Sequence, residues 1–224
     1  SGATEANNFV LQGVIARAGR QRSHMIVLAT EHSSVLEPAR LLQTRGICDL
    51  TVVPVDAEGL ADPAIVAAAI RPETVLVAVM HANNETGTMQ PIESIATAVR
   101  ARLATVHIHV DAVQTLGKVD LATLTRAPVD TIAISSHKIG GFKGVGALWL
   151  KSGTKLSAML AGGGQERGRR AGTENIPGIV SFGMRCDALS AERDAHRDHL
   201  LRLRNAWIDE LRKIPGAILH GAIA

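Results

Sequence analysis

Tyrosine is missing from this 224-residue chain, and its aromatic side chains amount to three Phe and two Trp. With 46% hydrophobic residues, a sizeable core must therefore be built from Ala, Val, Leu and Ile, as in parallel sheets packed under helices. Cysteine is scarce as well. Cys48 and Cys186 are too few for a disulfide framework and suit a reducing compartment, so a cytoplasmic location is expected. No apolar run is long enough to span a bilayer and no stretch reads as a signal peptide, which argues against a membrane partner. Internal repeats and low-complexity segments are lacking too. Charged residues make up 20% with both signs mixed, for a net charge of +3, so nothing reads as a long disordered tail. The one tight basic cluster, Arg167, Arg169 and Arg170, lies among glycines without aromatic interleaving. It reads as a solvated face or a subunit contact rather than a nucleic-acid site.

What is present is an alternation of two periodicities. Thr4 to Ala18 has apolar residues at helical spacing behind Thr4, a candidate N-cap. Short apolar runs at Met25 to Ala29, Leu50 to Val55, Val75 to Met80, Val106 to Val110, Thr131 to Ser135 and Val145 to Leu150 predict strands. Between them, Val35 to Leu42, Ile65 to Ile70 and Ile92 to Val99 predict helices. Such a succession predicts a three-layer αβα fold with a mostly parallel sheet. Ile176 to Lys213 reads as helical in two pieces, the second with Leu200, Leu203, Trp207 and Leu211 in one apolar stripe. Ile214-Pro215-Gly216 ends it, and Ala217 to Leu219 reads as a further strand. Because Ser1-Gly2-Ala3-Thr4-Glu5 already reads as the entry to a helix, a preceding segment is expected.

In open α/β sheets ligands bind beyond the carboxyl ends of the strands, and here the chemically versatile residues fall at those ends. Glu31-His32 follows the first strand, Asn83-Asn84-Glu85 follows Met80, Asp111 follows Val110, and Ser135-Ser136-His137-Lys138 follows Ile134. A lysine past a buried strand and flanked by glycines can be desolvated, which frees its amine to attack a carbonyl; a surface lysine in a turn is the plainer reading. A lone Asp111 is by default a helix cap. Beside a cofactor lysine, however, it becomes a carboxylate that holds a pyridine nitrogen protonated. Ser1 to Thr4, opening a helix, offers backbone N–H groups and a hydroxyl to a phosphate. His107, His109 and Asp111 alternate to one strand face at a spacing metals favour, which leaves a metal-dependent hydrolase as a competing reading. No further His follows to complete such a site, and Lys138 would be left without a role. Gly162 to Gly168 matches neither the P-loop nor the dinucleotide pattern.

Taken in order, S-G-A-T-E-A-N-N, T-E-H, H-A-N-N-E-T-G, H-V-D-A-V-Q, S-S-H-K-I-G-G-F-K-G-V-G-A-L and G-G-G-Q-E-R-G-R-R-A-G-T-E-N resemble the NifS-like cysteine desulfurases and the related selenocysteine lyases. These share the fold-type-I pyridoxal-phosphate architecture of class V aminotransferases, and the similarity runs from Ser1 to at least Val180. The resemblance implies pyridoxal 5'-phosphate as cofactor, with Lys138 bonded to its aldehyde carbon and His32 stacked on the ring and moving protons. Asp111 would pair with the ring nitrogen, Gln114 would reach the phenolic oxygen, and Asn84 would lie near that oxygen and the substrate carboxylate. Ala3, Thr4, Ser135 and His137 would bind the phosphate. Thr173 matches a threonine that a neighbouring subunit donates to that phosphate, which implies a homodimer.

The implied reaction takes sulfur from L-cysteine, or selenium from selenocysteine, and releases alanine. A persulfide forms on a catalytic cysteine and serves an acceptor or scaffold protein, as in iron–sulfur cluster assembly. In the family that cysteine, and an arginine for the substrate carboxylate, lie farther downstream than Ala224. The 224 residues alone are therefore expected to show no turnover, and a non-catalytic fragment stands as the alternative. Residues 1–190 are expected to form the cofactor-binding large domain, 191–216 a connecting helix and 217–224 the start of a small domain. Phe142 stands where the family commonly has proline, which would alter the turn after Lys138.

Overall fold

The apolar runs and the helical stretches interleave into one doubly wound sheet. The structure, a computed structural model, describes residues 1–19 and 22–222. Helix α1 (Ala3–Ala18) leads into β1 (Ser23–Leu28), α2 (Ser33–Thr44) and β2 (Cys48–Val53). Then come α3 (Pro63–Ala68), β3 (Thr74–Met80), α4 (Ile92–Arg102) and β4 (His107–Asp111). After α5 (Ala122–Arg126) and β5 (Thr131–Ser135), a 3-10 turn over Ser136–Ile139 precedes β6 (Gly146–Leu150). Short α6 (Gln165–Gly168) and long α7 (Ile176–Leu211) follow.

The sheet order is β2-β1-β3-β4-β5-β6, parallel except for β6, which runs antiparallel to β5. After β1 the chain first pairs on one side and then, with β3, on the other. The crevice beyond the ends of β1 and β3 is thus a topological switch point, where this architecture binds ligands. Strand alternation sorts the core into two apolar layers. Ile26, Val77, Val79, Ile108 and Val110 pack with α3, α4 and α5 residues such as Val66, Ile95, Val99 and Leu124. Met25, Val27, Leu76 and Ala78 pack on the other face with Val10, Val14, Val35 and Ala39 of α1 and α2. The expected three layers are present.

Three local expectations are corrected. Gly2, not Thr4, occupies the N-cap of α1, and no side chain caps that helix. α7 is a single helix rather than two pieces: Pro177 sits in its first turn, where proline is tolerated, and no Gly or Pro lies between Gly183 and Leu211. Ala217 to Leu219 forms no strand, and Ile218 is 77% exposed. The stripe Leu200, Leu203, Trp207 and Leu211 is exposed along α7.

Candidate cofactor site at the switch point

The carboxyl ends of β1, β3, β4 and β5 and the N-terminus of α1 surround a cavity of about 490 Å³. Ala3, Thr4, His32, Asn84, Asp111, Gln114, His137 and Lys138 all line it. Ser135 stands behind His137, its Oγ 2.9 Å from His137 Nδ1. Thr173 lies elsewhere, in a neighbouring cavity with Phe9, Arg167, Arg170 and Phe182, so one chain does not bring it to the Lys138 cavity. The two cavities share walls at Ser1, Gly2, Glu5 and Gly144.

Packing holds the first turn of α1 at the cavity. Gly146 on β6 lies so close to Gly2 that a Cβ there would meet the Gly2 backbone at 2.7 Å. Glu5 anchors the same turn by an ion pair to Arg170 at 2.8 Å, which holds its carboxyl down at about 2. Arg170, read from sequence as a solvated or subunit-contact residue, thus has a partner within the chain. Ala6 is the first residue whose N–H finds a helical acceptor, Gly2 O at 3.1 Å. The uncapped N–H groups before it open onto the cavity at the positive end of the helix dipole.

Asp111 ends β4 on the α1 face and is 6% exposed. Its Oδ1 accepts from Val113 N at 3.0 Å and its Oδ2 from Asn7 Nδ2 at 2.8 Å. Burial pushes this carboxyl above its ordinary value, while the Val113 and Asn7 hydrogen bonds and the nearby His32 and Lys138 pull it down. Asp111 caps no helix; its local bond to Val113 closes a turn. Deeper still, Glu31 is held by Met80 N at 2.5 Å and has no partner on Oε2. Burial, aided by Asp111, raises its carboxyl well above the ordinary value.

Lys138 sits in the 3-10 turn after β5 and is exposed at the cavity wall, so the desolvation expected from its neighbours is not found in this chain. The turn itself is pinned. Gly140 takes the left-handed conformation, Gly141 N donates to Ser136 O at 3.1 Å, and Arg185 of α7 donates to Ile139 O at 3.0 Å. Phe142 uses the N–H a proline would lack, donating to Ser181 Oγ at 3.4 Å. Gln114 accepts from Lys118 Nζ at 3.1 Å, and its amide nitrogen remains as a donor.

The metal reading is corrected by the same face of β4. His107 Nε2 and His109 Nδ1 both meet Thr131 Oγ1 at 2.9 Å, and His109 Nε2 meets Asn7 Oδ1 at 2.9 Å. These nitrogens are taken up by Thr131 of β5 and Asn7 of α1, and among the described residues no group of three His, Cys, Asp or Glu could hold a metal ion. Burial pushes His107 down to about 4 and His109 to about 3. Sequence reasoning missed Asn7 and Ser34, which support Asp111 and His32 from behind. The available signal was a buried-face asparagine on α1 among Ala6, Val10 and Leu11.

Neither cysteine approaches this site. Cys48 begins β2, at the opposite end of the strands, and burial pushes its thiol up to about 11. Cys186 on α7 packs with Ile139, Val145 and Phe182, and burial raises it too.

A doubly wound α/β domain with a lysine, a buried carboxylate and an open helix N-terminus around one switch-point cavity has the parts a phosphorylated pyridine aldehyde requires. Comparison with known proteins agrees. The family model for aminotransferase class-V matches residues 1–223. Cysteine desulfurase IscS 1 of Archaeoglobus fulgidus is 42% identical over 221 residues, covering 99% of this chain and 56% of that protein. A solved NifS-like protein superposes with a TM-score of 0.92 at 35% identity, covering 98% of this chain and 60% of that one. A structure of SspA in complex with cysteine gives a TM-score of 0.76 at 35% identity, over 83% of this chain and 53% of that chain. The chain therefore belongs to the class-V aminotransferases, a pyridoxal-phosphate-dependent family, and within them to the IscS/NifS-like cysteine desulfurase group. It spans about half the length of the curated relatives it matches. Among the described residues no helix is long and apolar enough to cross a membrane.

Proposed function

We propose that this chain supplies the pyridoxal 5'-phosphate site of a cysteine desulfurase, which takes sulfur from L-cysteine and releases alanine. One observation carries the reading: Lys138, His32, Asp111 and the uncapped start of α1 converge on a single cavity. When bound, the cofactor supplies an electron sink for bond breaking at the substrate α-carbon.

The chain's residues divide the remaining work. Lys138 Nζ is the amine for the cofactor aldehyde, and Asp111 holds positive charge at the ring nitrogen. His32 would stack on the ring and assist proton transfer at the substrate α-carbon. The N–H groups of Ala3 and Thr4, the Thr4 hydroxyl, Ser135 and His137 bind the phosphate. Gln114 and Asn84 donate to the phenolic oxygen side.

Residues 1–190 form the cofactor-binding domain in this reading, 191–216 a connecting helix and 217–224 the start of a smaller domain; residues 223 and 224 lie outside the described part. Thr173 completes the phosphate site of a second copy in a homodimer. The sulfur-receiving thiol belongs to a part of the protein that these residues do not span, because Cys48 and Cys186 lie away from the cavity. The persulfide would then serve an acceptor or scaffold protein in the cytoplasm, in iron–sulfur cluster assembly or another sulfur-transfer pathway.

Titration of the protein with pyridoxal phosphate, followed by visible absorption, tests the reading. Saturable uptake with one cofactor per chain, lost in Lys138→Ala, is expected. Uptake with an unchanged spectrum in folded Lys138→Ala would overturn it.

A further inference from the structure

Asp111 and His32 are steered from behind by a continuous set of hydrogen bonds. The series runs from His107 Nε2 to Thr131 Oγ1 (2.9 Å), from Thr131 Oγ1 to His109 Nδ1 (2.9 Å) and from His109 Nε2 to Asn7 Oδ1 (2.9 Å). It ends with Asn7 Nδ2 on Asp111 Oδ2 (2.8 Å). A branch leaves Asn7 Nδ2 for Ser34 Oγ (2.8 Å) and continues to His32 Nδ1 (2.9 Å), which also accepts from Ser34 N (3.1 Å).

The end groups force a direction on every link. Asp111 accepts at Oδ1 from the Val113 N–H and at Oδ2 from Asn7, so Asn7 turns its NH2 toward Asp111, and its second hydrogen goes to Ser34. The Asn7 carbonyl oxygen can then only accept, so His109 carries its hydrogen on Nε2. In the neutral ring Nδ1 is left a bare acceptor, and the Thr131 hydroxyl donates to it. With its single hydrogen committed, Thr131 Oγ1 must accept from His107 Nε2–H. On the branch, the Ser34 backbone N–H obliges His32 Nδ1 to accept, so the neutral His32 ring carries its hydrogen on Nε2. Burial of His109 pushes its ring far below neutral pH against a smaller upward pull from the Thr131 backbone, which fits the neutral form used at the centre of the series.

We propose that Asn7 is the hub of a one-way hydrogen-bond network, with His109 and Thr131 on one arm and Ser34 on the other. Through it Asp111 is fixed as an acceptor for a ring cation, and His32 is fixed as the Nε2–H tautomer. These are positioning residues; none of them needs to touch the substrate. The functional meaning rests on the pyridoxal-phosphate reading, whereas the hydrogen positions do not.

Nitrogen NMR of the imidazole rings in the cofactor-free protein tests the network, and cofactor titration tests its purpose. At neutral pH, wild-type His109 should appear as a single neutral Nε2–H tautomer, and any neutral fraction of His32 as the Nε2–H tautomer. Thr131→Val removes only the hydroxyl while keeping the shape. It should convert His109 to a tautomer mixture, weaken cofactor binding by about fivefold, the worth of one hydrogen bond between neutral groups, and shift the visible maximum. Thr131→Ser should restore all three. Wild-type His109 found as the Nδ1–H tautomer or as imidazolium overturns the network, even if Thr131→Val does not fold. Wild-type affinity and spectrum in folded Thr131→Val overturn the positioning role. Failure of the wild-type protein to take up cofactor counts instead against the cofactor reading, and the assigned purpose of the network falls with it.

Discussion

Replacing His81 with Asn should flatten part of the acid side of the stability curve. His81 follows β3 at the edge of the site and is 6% exposed. Thr115 gives its own hydroxyl hydrogen to Ala112 O at 3.1 Å, so His81 Nδ1 is the donor to Thr115 Oγ1 at 2.9 Å. Burial alone pushes the ring from 6.5 down to about 4. A depressed folded value means that the unfolded chain takes up the proton first. His81 therefore contributes stability that is fully present above pH 6.5 and is lost as pH falls toward about 4. At ~1.4 kcal/mol per pH unit the whole span amounts to ~3 kcal/mol. Asn can keep the donor to Thr115 but does not titrate. Urea unfolding of both proteins at several pH values between about 7.5 and about 4.5 measures the effect. Because His107 and His109 titrate in both proteins, their contributions cancel in the comparison. Relative to the variant, the wild type should lose ~2–3 kcal/mol over this range. A wild-type-minus-variant difference that stays constant across it would refute the assignment of His81 as a buried neutral donor.

Glu31→Gln should match the wild type within ~1 kcal/mol at about pH 4, because a protonated carboxyl and an amide present the same acceptor to Met80 N, and should be the more stable protein at neutral pH. Glu31→Ala leaves that N–H unpaired beside a cavity and should cost ~2–4 kcal/mol in the same unfolding assay. The raised Glu31 carboxyl contributes stability that is present below its unfolded value of 4.5 and is lost as pH rises through the folded one, a slope Glu31→Gln should remove. Asp111→Ala should weaken pyridoxal-phosphate binding ~10-fold or more in fluorescence titration, with a shifted spectrum, while His107→Ala acts less strongly. The 224-residue chain supplied with pyridoxal phosphate, cysteine and a reductant should release alanine and sulfide only at the rate of free cofactor. Multiple turnovers that vanish in Cys48→Ser or Cys186→Ser would contradict the placement of both thiols.

The layered fold was legible because short apolar runs and helical stretches alternate cleanly, and continuous Val/Ile/Leu strands demand cover on both faces. The placement of His32, Asn84, Asp111 and Lys138 was legible for the same reason, since strand ends define where an open sheet binds ligands. Asn7 was not. Its meaning depends on α1 lying over β4, a contact between residues about a hundred positions apart that no local pattern encodes. The spacing of His107, His109 and Asp111 pointed toward a metal because alternation predicts a shared face; only the structure reveals that Thr131 and Asn7 already fill that face. The exposure of Lys138 was equally hidden. Flanking apolar residues set the burial of a strand, but not that of the 3-10 turn after it, where Lys138 is exposed.

The central claim is that Lys138 is the amine that holds the cofactor. Borohydride reduction of the protein loaded with pyridoxal phosphate, followed by peptide mapping, addresses it most directly. The account predicts a reduced adduct on Lys138, with none on Lys143, which lines the same cavity. A stoichiometric adduct on Lys143 or Lys118 with Lys138 unmodified would contradict it.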